Sequence, residues 1–101
     1  MSSAIVIHET GGPDKLCFET VPDQTPAAGQ ARIRQTAIGL NFIDVYNRTG
    51  LYKLPLPFVP GQEGAGVVEA VGEGVTDVAP GQRVAYMGAT GAYAEVRAIA
   101  A

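Results

Sequence analysis

Apolar and polar residues alternate along most of this chain. From Gln30 to Ile38, Ala31, Ile33 and Ala37 fall on one side while Arg32, Arg34 and Thr36 fall on the other. That period of two predicts a strand with one solvated face. Between Pro60 and Gly72, Val67, Val68 and Val71 alternate with Glu69 and Ala70, which predicts a half-buried strand. Gly61, Gly64 and Gly66 lead into it, and three positions without a Cβ predict a close approach of other groups to that backbone. Ala4–His8 and Leu16–Val21 flank Gly11-Gly12-Pro13-Asp14 and predict a hairpin. Arg83–Tyr86 and Tyr93–Ile99 predict the last two strands, with a turn at Gly88–Gly91 between them. Ala79-Pro80-Gly81-Gln82 has the proline–glycine order of a type II turn.

The alternation gives way once, at Phe42–Thr49, which predicts one short helix. Asn41 is a suitable N-cap, and Asp44 three residues later places a carboxylate at the positive helix end. Phe42, Val45 and Tyr46 share a face by spacing, and Gly50 ends the helix. Leu51–Pro60 holds three prolines among Leu51, Tyr52, Leu54, Leu56 and Phe58. It can be neither a helix nor a central strand, so an apolar loop is expected there, covering something or covered. Pro22–Gly29 predicts a second loop. The expected fold is mainly β, at the strand spacing of a small barrel or sandwich.

Composition narrows the function classes. With 101 residues, 47% of them hydrophobic and 17% charged, the chain suits one small globular domain. A net charge of −3 and no basic stripe argue against nucleic acid as a partner. No apolar run is long enough to cross a bilayer, so no membrane partner is expected. The first residues lack the basic region and apolar core of a signal peptide, which makes the cytoplasm the expected compartment. Cys17 is the single cysteine, so no internal disulfide can form.

Candidate chemistry gathers in two places. Gln62 and Glu63 stand at the mouth of the valine strand, and a polar amide in a glycine-rich turn facing an apolar loop requires a partner. Tyr46 and Tyr52 carry phenols that can donate a hydrogen bond at neutral pH. Taken alone, each is more often an amphipathic residue at the edge of the core. Gly64-Ala-Gly66 begins a dinucleotide fingerprint, but Glu69 replaces the third glycine and no helix pattern follows. A Rossmann domain is therefore absent from these residues.

Four stretches taken together resemble a known family. They are Gly39-Leu-Asn-Phe-Ile-Asp44 with Tyr46, Arg48-Thr-Gly-Leu-Tyr52, Pro60-Gly-Gln-Glu-Gly-Ala-Gly-Val-Val68 and Gly81-Gln-Arg-Val84. In this order they resemble the N-terminal part of medium-chain dehydrogenases/reductases, in particular the zinc-free quinone oxidoreductase (ζ-crystallin-like) branch. The resemblance implies a GroES-like, partly open β-barrel over residues 1–101, the catalytic-domain segment of a longer enzyme. Such enzymes continue for roughly two hundred further residues, more than one typical domain. The implied activity is hydride transfer from NADPH to a quinone or another conjugated carbonyl, in a cytoplasmic, homodimeric parent. NADPH would be bound mostly by the other domain.

The resemblance also implies site residues. Tyr46, Tyr52 and Gln62 would line the substrate, and Asn41, Phe42, Ile43, Asp44 and Val45 would meet the cofactor. Zinc-dependent relatives carry a Cys ligand where this chain has Asn41 and a His ligand where it has Gln62. Neutral amides are poor zinc ligands, so no metal is expected. Ile43 occupies the place of their proton-relay Ser or Thr. The segment alone is expected to be nearly inactive. The alternatives are a non-enzymatic GroES-like interaction module, a cofactor-binding or lens-crystallin-like role with little turnover, and, disfavoured, a zinc-type alcohol dehydrogenase relative.

Overall fold

A computed structural model describes residues 1–101. Six strands occur in chain order: β1 Ser2–Val6, β2 Cys17–Val21, β3 Gln30–Ile38, β4 Glu63–Val71, β5 Arg83–Met87 and β6 Val96–Ala100. One helix, α1, spans Phe42–Thr49, and a 3-10 turn covers Pro13–Lys15. β1 and β2 form a two-stranded antiparallel sheet, and the other four lie in the order β5-β4-β3-β6. The two sheets do not close, in keeping with the expected mainly β, partly open barrel.

β3 and β4 form the centre. Ala31 pairs with Val71 and Ile33 with Val68, with register shifts after Arg32 and after Gln35. Ala31, Ile33 and Val68 are buried, whereas Arg32 and Arg34 lie toward the other face and both bond the Glu69 carboxylate. The glycines that lead into the valines belong to β4 itself, so this strand starts earlier than its valines suggest. A Cβ at Gly66 would stand 2.1 Å from the Arg34 carbonyl oxygen, beside the second register shift. The close approach expected at this strand is made there by the backbone of β3.

Two strand boundaries differ from the alternation pattern. β1 runs over Ser2–Val6 rather than Ala4–His8. Its ladder with β2 ends at Val6, and Ile7 exchanges both backbone hydrogen bonds with Phe58 of the proline-rich loop instead. The last strand begins at Val96 rather than Tyr93. Residues 93–95 pair with β1 instead, since Ile5 N–H donates to the Tyr93 carbonyl and Glu95 N–H to that of Ser3. Beyond that point β6 pairs with β3. The segment therefore joins the two sheets, and Ala4, Val6 and Ala94 pack together at the junction. Burial alone cannot reveal a change of partner, because both halves read as apolar alternation.

The remaining expectations hold closely. β3 and α1 have the predicted boundaries, and Gly50 caps α1 in the left-handed conformation. Gln82 N–H closes the Pro80-Gly81 turn on the Ala79 carbonyl at 3.2 Å.

Candidate functional site

The helix α1 presents most of its residues outward. Phe42 is 79% exposed, and Ile43, Val45 and Tyr46 are each more than a third exposed. Water-facing apolar groups of this size on one short helix form a patch that calls for a ligand or a covering surface. Leu40, Asn41, Phe42 and Val45 line an open recess of about 250 Å³ at the start of the helix.

Asp44 differs from its neighbours. It is buried, and its Oδ2 accepts hydrogen bonds from the Asn41 backbone N–H at 3.0 Å and from the Tyr93 hydroxyl at 2.7 Å. The first is the return half of a capping box. Its carboxylate thus serves the fold, and the surface that a cofactor would meet is left to Asn41, Phe42, Ile43 and Val45. Burial, then the Asp44 hydrogen bond, then the charge of that carboxylate hold the Tyr93 phenol well above its ordinary pKa.

Tyr46 and Tyr52 are brought together. Their rings meet edge to face, 5.5 Å between centroids at 89°, a favoured aromatic geometry. Tyr52 is anchored through its backbone. Its N–H donates to the Tyr46 carbonyl at 3.3 Å, and its own carbonyl accepts from Asn47 Nδ2 at 2.9 Å. Asn47 is buried, and the bond to Tyr52 is partly so. Neither tyrosine hydroxyl has a hydrogen-bond partner within the chain. Two immobilised phenols with free hydroxyls can donate to an oxygen that approaches from outside.

Gln62 finds its partner in Thr90, to whose Oγ1 its Nε2 donates at 2.8 Å. Gly61 beside it has φ 102°, and a Cβ there would stand 2.5 Å from the Tyr93 ring. Tyr93 therefore links the helix start, through Asp44, to the Gly61-Gln62 turn. Sequence reasoning placed Tyr93 only at the start of a strand and overlooked Asn47, Thr90 and Arg97. The signal for Tyr93 was its setting: one large polar-tipped ring between Ala92 and Ala94, close after Gly91.

No group of three or more His, Cys, Asp or Glu side chains could hold an ion. Asn41 and Gln62 both offer neutral amides.

Comparison with known proteins identifies the family and its relatives. The family described as alcohol dehydrogenase GroES-like domain matches residues 27–101. A 2-haloacrylate reductase of Burkholderia sp is 48% identical over 103 aligned positions, covering 96% of this chain and 31% of the relative. A quinone oxidoreductase of Pseudomonas aeruginosa is 47% identical over 102 positions, covering 99% and 31%. The crystal structure of Escherichia coli quinone oxidoreductase complexed with NADPH superposes with a TM-score of 0.94 at 42% identity, covering 97% of this chain and 31% of that one. The chain thus spans about a third of the length of these relatives.

Proposed function

The chain belongs to the alcohol dehydrogenase GroES-like domain family, and from that premise we propose that it forms the substrate-side wall of an NADPH-dependent oxidoreductase. The longer enzyme reduces a quinone or another electron-poor conjugated carbonyl. One observation carries the reading: Tyr46 on the helix and Tyr52 in the turn after it meet edge to face yet leave both hydroxyls free, beside an exposed, apolar first helical turn. Relatives named 2-haloacrylate reductase and quinone oxidoreductase support the substrate class.

The residues present fit one edge of NADPH and not the whole of it. Gly64 and Gly66 lie within β4, so they form no strand-to-helix turn that could cradle a pyrophosphate. Asn41, Phe42, Ile43 and Val45 offer an exposed, largely apolar platform with one amide, suited to a flat ring bearing a carboxamide. NADPH, when bound, supplies the hydride. The platform's part is to hold the ring plane against the acceptor and keep water out. As hydride reaches the conjugated system, negative charge grows on the acceptor oxygen. The Tyr46 and Tyr52 hydroxyls donate hydrogen bonds to that oxygen, and Gln62 adds an amide at the rim. The reaction then needs neither zinc nor a general base from this chain.

No helix here is long and apolar enough to cross a membrane. We propose a cytoplasmic homodimer for the longer enzyme, and gel filtration of the full-length protein tests the oligomeric state.

Joining residues 1–101 to the remaining domains of the Escherichia coli relative tests the reading. The chimera is expected to oxidise NADPH when 1,4-benzoquinone is added, whereas the 101-residue chain alone does not. A folded chimera that binds NADPH yet leaves benzoquinone unreduced overturns the assignment in favour of a non-enzymatic module.

A further inference from the structure

Arg97 is only 8% exposed and has no ion pair within the chain. A guanidinium out of water without a carboxylate is costly, and an apolar residue of similar volume is often the more stable choice. Its bonds show what it does instead. Nη1 donates to the Ala89 carbonyl at 2.7 Å and Nη2 to the Thr90 carbonyl at 3.1 Å. Nη1 also reaches the Tyr86 hydroxyl at 3.3 Å, and the guanidinium lies 5.0 Å from the centre of that ring. A fork with fixed spacing thus grips two successive carbonyls of one turn, a spacing that the single nitrogen of a flexible lysine does not fix.

That turn is the one that carries Thr90, the partner of the Gln62 amide. Its backbone also closes on the Gln62 loop, with Gly91 N–H donating to the Gly61 carbonyl at 2.9 Å and Ala89 N–H to that of Gln62 at 3.3 Å. We propose that Arg97 is a positioning residue that sets the orientation of Gln62 by gripping the Ala89-Thr90 turn. Its planar fork is pre-organised to hold both carbonyls at once. The part assigned to Gln62 at the substrate rests on the proposed function, but its positioning by Arg97 does not.

The Gln62 side-chain amide resonances of the ¹⁵N-labelled 101-residue chain separate the two. Thr90→Val, at an exposed position, gives the signature of a released amide: the pair moves and its proton exchange with water quickens. Arg97→Met and Arg97→Lys are expected to give that same signature while the β3 and β4 backbone amides keep their wild-type shifts. If Arg97→Met does not fold, Arg97→Lys decides, since it retains the charge and the stem but not the fork. A Gln62 pair that stays at its wild-type position in the folded arginine variants overturns the inference. In the chimera, Thr90→Val and Gln62→Leu should lower kcat/KM for benzoquinone by the same factor, and the double variant no further. An unaffected Gln62→Leu would remove Gln62 from the substrate site while the amide signature still reports the grip of Arg97.

Discussion

Tyr93→Phe removes one hydroxyl and keeps the ring against Gly61. That hydroxyl donates to Asp44 Oδ2 at 2.7 Å, and Asp44 is 5% exposed. The other carboxylate oxygen, Oδ1, is buried without a partner. The variant therefore leaves a buried charge with only the Asn41 N–H bond. A hydrogen bond to a charged group contributes about 1.5–3 kcal/mol. In a domain of this size each kcal/mol moves the melting temperature by roughly 4–8 °C, so a fall of roughly 6–24 °C is expected by circular dichroism.

The pH dependence carries its own sign. The Tyr93 pKa in the folded chain lies above that of the unfolded chain, which is ordinarily about 10. Its contribution is then complete below about pH 10 and is lost as pH rises through the folded value. The difference between wild type and Tyr93→Phe should stay flat from about pH 6 to 9 and narrow above about 10. A double-mutant cycle with Asp44→Asn isolates the pair. Additivity within about 0.5 kcal/mol would show that the two residues do not communicate and refute the link between the helix start and the Gly61 turn.

Three further outcomes are expected. Tyr52→Phe in the chimera should lower kcat/KM for benzoquinone about ten- to a hundredfold, the worth of one donor to developing charge, with an unchanged melting temperature because the hydroxyl bonds nothing in the chain; unaltered kinetics would return Tyr52 to a packing role. Elemental analysis of protein purified without added metal should find far less than one zinc per chain, and stoichiometric zinc would sink the amide argument made for Asn41 and Gln62. Calorimetry should detect no micromolar NADPH binding to the 101-residue chain, whose platform meets only one edge of the cofactor; a micromolar constant would disprove that division of labour.

The fold was legible where local chemistry and tertiary partners agree. The Phe42–Thr49 helix follows from Asn41, Asp44 and Gly50, all acting within two turns of chain. Gln30–Ile38 follows from a period of two that burial on one face enforces. The ends of β1 and β6 were not legible, because they are set by partners distant in sequence. Ile7 leaves β2 for Phe58, and residues 93–95 pair with β1 before β6 turns to β3. Alternation records which side is buried, not which strand lies alongside.

The same distinction governs the site. The contact between Tyr46 and Tyr52 is local: a helix and the turn after it bring them together over six residues, and Asn47 on that helix completes the clamp. The apolar first turn was legible for the same local reason. Asp44 was legible as a cap, but not as the acceptor of a hydroxyl 49 residues away. Thr90 and Arg97 gave no sign at all, since one looks like a turn residue and the other like a solvated strand position. What hid them is that their work is done on backbone carbonyls and on another residue's amide, which leaves no pattern of residue types. Tyr46 and Tyr52 meet within one local stretch of chain, whereas Gln62 stands in a separate turn. The groups that hold Gln62 come from the far end of the chain, so the clamp of Arg97 on the Ala89-Thr90 turn could emerge only from the structure.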